Sequence, residues 1–187
     1  MSSLAPGLLL AAPPLGDPNF DRSVVLLAAH GQDGAFGWVI NGREIMSLEE
    51  LLSRADIATG ARVPSGLVRV GGPVSPEQVW LVYRTEDRLE DFPEQFDVGS
   101  GVTASPSRKL LEAIGQGRGP KGVMGLVGYA GWAPSQLENE IRHGSWLPTD
   151  ADAAIVFDVP REQIWQRAYE RMGTSPIAFT TRTVGSA

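Results

Sequence analysis

The 187-residue chain contains no cysteine. That excludes disulfides, thiolate nucleophiles and zinc sites built on thiolates. Lysine is almost missing too: Lys109 and Lys121 are the lysines among 16 basic residues, and Arg108-Lys109 is the one adjacent basic pair. Against 22 acidic residues this leaves a formal net charge of −6. A nucleic-acid binder usually carries a basic stripe or a basic domain, so direct DNA binding is disfavoured. No run reaches the roughly 18 apolar residues of a membrane span, so no membrane partner is expected. The apolar stretch Leu8–Ala12 is preceded by no Lys or Arg and stops at Pro13-Pro14. A signal peptide needs a basic start and a longer run, and the expected location is the cytoplasm.

Chemistry-bearing motifs are equally scarce. There is no H-E-x-x-H, no G-x-S-x-G and no Asp-rich metal loop, so neither a metal nor another cofactor is expected and no catalytic set is assigned. The two histidines, His30 and His143, lie far apart in sequence. His30 falls at a hairpin entry, and His143 in the last turn of a predicted helix, where a basic residue suits the dipole.

What is present fits one domain over residues 1–187, with 42% hydrophobic and 20% charged residues. Apolar runs of strand length recur between turn signals: 8–12, 24–29, 36–41, 67–70, 79–83, 123–127, 154–157 and 177–180. Their near-continuous apolarity predicts strands covered on both faces. The pair Asp33-Gly34 between two of them predicts a hairpin turn. Four helices follow from caps and periodicity. Ser47 with Glu50, and Ser135 with Glu138, read as capping boxes. Ser105-Pro106 opens a second helix that stops at Gly115, and Pro160 opens the last, with Ile164, Trp165, Ala168, Tyr169 and Met172 on its buried face. Hairpins first and strand–helix alternation later predict a mixed α/β domain of the α+β kind, with helices around a mixed sheet.

Two glycine-rich loops invite an anion-binding reading. Residues 115–122 run from helix to strand, the reverse of a phosphate cradle. The segment Gly128-Tyr129-Ala130-Gly131-Trp132-Ala133-Pro134 runs from strand to helix, the correct order. Gly128, Tyr129, Gly131, Trp132, Ser135, Gln136 and Glu138 are therefore the candidate binding residues, with free amides and a positive dipole end beside two aromatics. The structural alternative is that Ser135 and Glu138 already occupy those amides as caps. Secondary candidates are Asp17, Asp21, Arg22 and His30. The two carboxylates could pair as acid and base, with His30 beside them in a hydrolase reading, or bind a cation, or simply close turns around Pro18.

In order along the chain, Asp17-Pro18-Asn19-Phe20-Asp21-Arg22-Ser23-Val24-Val25-Leu26-Leu27, His30, Gly34-Ala35-Phe36-Gly37, Val39-Ile40-Asn41, Gly71-Gly72-Pro73-Val74, Gly128-Tyr129-Ala130-Gly131-Trp132, Gln136-Leu137-Glu138 and Trp146-Leu147 resemble the YqgE/AlgH family of bacterial proteins. The resemblance spans roughly Leu8 to Gly173. It implies a single domain with a branched, partly barrel-like sheet flanked by about four helices, in a cytoplasmic bacterial protein. The family has no settled biochemical activity. One branch is named for regulation of alginate production, and members are often labelled transcriptional regulators. No helix-turn-helix and no basic helix accompanies that label here. The chain departs from the family where Asn41-Gly42-Arg43 replaces Asn-Arg-Pro, where Ser135 replaces Gly, and where Tyr83 stands near a customary His.

The expectation is thus a non-enzymatic regulatory or interaction protein acting through an unknown protein partner. The alternatives are a small-molecule or anion-binding module using the Gly128–Ser135 loop, and a hydrolase using Asp17, Asp21 and His30.

Overall fold

The computed structural model describes residues 3–13, 20–60 and 62–178. In chain order the elements are β1 (Gly7–Ala11), β2 (Val24–Gly31), β3 (Gly34–Val39), β4 (Glu44–Ser47), α1 (Leu48–Arg54), β5 (Leu67–Val70), β6 (Val74–Arg84), β7 (Phe96–Gly99), β8 (Val102–Ser105), α2 (Arg108–Gly115), β9 (Met124–Trp132), α3 (Gln136–Arg142), β10 (Trp146–Asp150), α4 (Ala153–Phe157) and α5 (Ile164–Arg171). Short 3-10 turns cover Thr85–Asp87 and Arg161–Gln163. The fold is α+β with a mixed sheet. No helix among the described residues is long and apolar enough to cross a membrane.

The chain divides into two compact units, Met1–Gly42 with Ala130–Ala187, and Arg43–Tyr129. In the first, β10, β1, β2 and β3 pair antiparallel in that order, and β3 also pairs with Ala130–Trp132 of β9. All five residues of β1 are buried, as expected of a strand flanked on both edges and covered on both faces. Leu9, Val25, Leu27, Val39, Trp132 and Trp146 pack in its core. At the end of β1, Trp165 Nε1 and Tyr169 Oη of α5 both donate to the Ala11 carbonyl, at 2.8 and 3.0 Å. The hairpin turn consists of Gln32 and Asp33, one residue earlier than the Asp33-Gly34 expectation, since Gly31 pairs with Gly34. Gly34 opens β3 at φ 119°, and a Cβ there would collide with the Trp132 carbonyl of the next strand.

In the second unit the sheet branches at β9. Its residues 125–127 pair with β5 in parallel, and its other edge pairs with β6 antiparallel; β4 adds to β5, while β8 and then β7 extend from β6. Leu48, Leu52, Leu81, Tyr83, Leu110 and Ile114 form the core between this sheet and helices α1 and α2. Ser47 Oγ accepts from Glu50 N–H at 3.1 Å, so the first capping serine works as expected.

Two expected strands fail. Residues 154–157 form helix α4, capped by Asp152 Oδ1 accepting from Ala154 N–H at 2.7 Å. A four-residue apolar run does not distinguish a buried strand from a buried helical turn, and the Asp before it decides for the helix. Ile177 and Ala178 are not in a strand, and residues 179–180 lie outside the described residues. The second helix begins two residues later than Pro106 would place it, with Ser107 at the N-cap.

The segment between β6 and β7 is tied down by one side chain. Gln95 is 5% exposed. Its Oε1 accepts from Tyr83 Oη at 2.6 Å and from Leu89 N–H at 3.0 Å, and its Nε2 donates to the carbonyls of Leu89 and Phe92. All four capacities of the amide are used, which is what makes a buried amide tolerable. Burial pushes the Tyr83 phenol up to about 12, against a smaller lowering by Arg88. Replacing Gln95 with Leu leaves several buried polar groups without partners, so Gln95→Leu should cost about 3 kcal/mol in urea unfolding and Tyr83→Phe about 1 kcal/mol. A Gln95→Leu loss no larger than that of Tyr83→Phe would show that other contacts hold the segment.

Candidate functional site

Strand β9 runs on through Trp132, so most of the predicted strand-to-helix loop is strand. Only Ala133, Pro134 and Ser135 connect it to α3. Ser135 occupies the N-cap position at φ 63° in the left-handed region, and its side chain makes no capping bond. The capping box expected of Ser135 and Glu138 is therefore not formed. The turn closes on Gln136 instead. Ala133 N–H donates to Gln136 Oε1 at 3.0 Å, and Gln136 N–H donates back to the Ala133 carbonyl at 3.0 Å.

Gln136 then hands its amide to Glu140. Gln136 Nε2 donates to Glu140 Oε1 at 2.8 Å, across one turn of α3. Glu140 Oε2 accepts from two indoles, Trp132 Nε1 and Trp146 Nε1, each at 2.8 Å. Both rings are buried, at 7% and 3% exposure, and they meet edge to face at 5.9 Å, with Phe20 edge-on to Trp146 at 5.5 Å. The α3 carboxylate thus joins β9 to β10 through an aromatic cluster.

His30, at the end of β2, is the second junction. Leu4 N–H donates to its Nδ1 at 3.1 Å, which assigns the proton to Nε2; that proton goes to Glu138 Oε1, also at 3.1 Å. The imidazole is 6% exposed and Glu138 21%. The Glu138 backbone amide holds the Glu138 carboxyl below the usual carboxylate range; partial burial opposes this, and His30 and Arg142 add to it. A general base must aim a free lone pair at a substrate proton, and the Nδ1 lone pair of His30 is occupied by a main-chain amide.

The remaining predicted residues separate. Gly128 and Tyr129 lie in the second unit. Gly128 has φ +71°, and a Cβ on it would meet the Gly72 carbonyl and lie 2.9 Å from that of Val74. Its glycine serves a close backbone approach within the sheet, where the loop reading assigned it to a ligand. Gly131 is exposed and pairs with Phe36. Asp21 and Arg22 are exposed, and the Arg22 guanidinium lies 5.8 Å over the Trp165 ring. Asp17 lies outside the described residues. The carboxylate that reaches His30 is Glu138, 108 positions away. His143 donates from Nδ1 to the Asn139 carbonyl at 2.7 Å and closes the last turn of α3. The central acceptor, Glu140, has a sequence signal only in its i, i+4 spacing from Gln136; read alone, it is one more negative charge at the helix start.

A family profile described as AlgH-like matches residues 8–177. The chain belongs to the AlgH-like family. Among curated relatives, a UPF0301 protein of Anaeromyxobacter sp. strain K is 42% identical over 185 residues, spanning 95% of this chain and 92% of that protein. A UPF0301 protein of Stenotrophomonas maltophilia strain K279a is 39% identical over 180 residues, spanning 96% and 94%. Among solved structures, the AlgH protein from Pseudomonas aeruginosa superposes with a TM-score of 0.76 at 31% identity, over 100% of this chain and 95% of that one. Protein DIP2367 from Corynebacterium diphtheriae shares the fold, with a TM-score of 0.68 at 24% identity over 89% and 86% of the two chains.

In this AlgH-like protein the cluster around α3 is bonded to itself. Glu140→Ala should therefore cost about 2–4 kcal/mol, because two buried indole N–H groups lose their acceptor, with Glu140→Gln intermediate. Urea unfolding followed by tryptophan fluorescence reads both. For Glu138 the sign is that of a depressed carboxylate: its contribution is complete above the unfolded-state value and is lost as pH falls through the lower folded value. The melting-temperature difference between wild type and Glu138→Gln should be constant near neutrality and shrink on acidification below the ordinary glutamate range. A difference independent of pH would remove the charged bond from the account.

Proposed function

We propose that this AlgH-like protein is a cytoplasmic regulatory protein that acts by binding a protein partner and not by turnover. Against turnover at the α3 cluster, the acid/base groups there already have internal work: both nitrogens of His30 and both carboxylate oxygens of Glu140 are engaged.

The observation that carries the partner reading is on β7. Phe96 is 55% exposed. It begins an edge strand paired on one side with β8. The preceding segment supplies Glu86, Asp87, Glu90, Asp91 and Glu94, with Asp97 following, against one base, Arg88. Asp87 is largely covered and pairs with Lys121 at 3.8 Å, and the other five carboxylates are exposed; an exposed aromatic in so acidic a stretch of chain suits an anchor with a charged surround at a protein interface. The negative rim calls for a basic partner surface. The strand is short, bulged between Asp97 and Gly99, and charged, which protects it from sheet-to-sheet pairing and leaves the Phe96 ring as the contact.

The test places a photo-crosslinking amino acid at position 96, and separately at the exposed turn residue Asp33, in cells of a species that carries the protein. A discrete adduct is expected from position 96 and not from position 33, and it should disappear when Glu90, Asp91 and Glu94 are changed together to their amides. Equal labelling from both positions, or turnover of a defined substrate that His30→Gln abolishes in folded protein, would overturn the reading.

A further inference from the structure

We infer a pH-sensitive latch in the first unit: residues 3–6 form a strap that is closed on neutral His30 and opens when the imidazole takes a proton at Nδ1. The latch is built within one unit and does not depend on the partner reading.

The strap precedes β1 and lies in no strand. Among the described residues, the hydrogen bonds that tie it to the rest of the fold both end on His30. Leu4 N–H donates to the ring Nδ1 at 3.1 Å. Ser3 Oγ lies 3.3 Å from the His30 carbonyl and 3.0 Å from the Ala5 carbonyl, and shares its one proton between them, so Leu4 supplies the firmer tie. Behind these bonds Leu4 and Ala5 are half-buried and pack against the core of the first unit. A Cβ at Gly7 would collide with the Leu4 carbonyl, so the passage from strap to β1 requires glycine.

The ring leaves one place for an added proton. Its Nε2–H is given to Glu138 Oε1 at 3.1 Å, so the proton must enter at Nδ1. Leu4 N–H already points at that lone pair. An imidazolium has a donor at each nitrogen and no acceptor, so protonation breaks the Leu4 bond. The Glu138 bond survives and becomes charge-assisted, hence stronger. The imidazole is 6% exposed, so the new Nδ1–H meets water only when the strap lifts. Lifting also sends the Leu4 N–H to water and uncovers the apolar seat of Leu4 and Ala5.

The surrounding charges fit such a switch. From α3 come Glu138, which is 21% exposed, and Arg142 one turn beyond it, which is exposed and screened by water. The strap and the neighbouring strands β1 and β3 carry no acidic or basic side chain, and Asp33 in the β2–β3 turn is exposed. The charge facing the ring is thus a carboxylate, which attracts an imidazolium more than a neutral ring. Strap and carboxylate compete for the state of one side chain, of the type that changes charge in the physiological range.

The experiment follows the uniformly ¹⁵N-labelled full chain from about pH 8 to about pH 5, the range in which histidine titrates. Long-range ¹H–¹⁵N spectra read each ring nitrogen of His30, and hydrogen exchange reads the Leu4 and Ala5 amides. The spectrum at the alkaline end should show the Nε2–H tautomer. As Nδ1 takes its proton, Leu4 should lose exchange protection by roughly tenfold or more in the same pH interval, while Leu9 and Val25 keep theirs. His30→Asn places an amide oxygen near the position of Nδ1 and does not titrate, so its strap should stay closed throughout. Glu138→Gln keeps an acceptor for Nε2–H without the charge, so the ring and Leu4 transitions should move together to lower pH. A ring that stays neutral down to the pH of unfolding, a Leu4 amide still protected once Nδ1 is protonated, opening that persists in folded His30→Asn, or ring and strap transitions that separate in Glu138→Gln would each overturn the latch.

Discussion

Burying an indole N–H without an acceptor costs free energy, and in this chain two of them share one acceptor. Glu140 Oε2 takes Trp132 and Trp146 at 2.8 Å each, and Oε1 takes Gln136. A carboxylate is costly to desolvate unless its lone pairs are filled, and three donors fill them here. The arrangement fixes α3 against β9 and β10 together, because one side chain is bonded to both strands. It also explains why a seven-residue helix, too short to be stable by propensity, persists in this place.

The second unit applies the same rule with a neutral group. Gln95 satisfies a phenol, one main-chain N–H and two main-chain carbonyls, and so orders a segment whose charges repel one another. Six carboxylates between Glu86 and Asp97 give that segment no reason to collapse unaided. A single buried amide with complementary donors and acceptors sets its path; five of the carboxylates remain exposed, and Asp87 pairs with Lys121 at 3.8 Å. Stability and surface character in this region thus come from different residues.

How much of this was legible in the sequence depends on the range of the interaction. The Ser47 cap, the Leu67–Val70 strand and the hairpin between β2 and β3 rest on neighbouring residues, and local pattern finds them. The run at 154–157 was readable only through Asp152, because apolar residues alone do not choose between strand and helix over so few positions. Ser135 failed as a cap although its spacing to Glu138 was correct, since its backbone is left-handed at φ 63° and Gln136 closes the turn in its place. Gly128 was legible as a required glycine but not for its reason, the Gly72 carbonyl against it. The Glu140 cluster and the Gln95 clamp join partners that only the fold brings together, and the family resemblance covers Trp132, Gln136 and Trp146 but neither Glu140 nor Gln95.

The two serines at N-cap positions that do not cap make the useful contrast. At α3 the helix start is served from within: Gln136 closes the turn through Ala133, and the Glu138 carboxylate takes its own amide. Its polar groups are spent, and Ser135 is exposed to water, where an unmade bond costs little. At α2 the start is served from just before it: Ser105 Oγ accepts from Ser107 N–H at 3.2 Å. The glycine-rich loop attracted the anion reading because glycine and strand-to-helix order are visible in sequence. The start of α2 rests on Ser105, which the Ser105-Pro106 pattern put at the cap itself and the fold puts two residues before it.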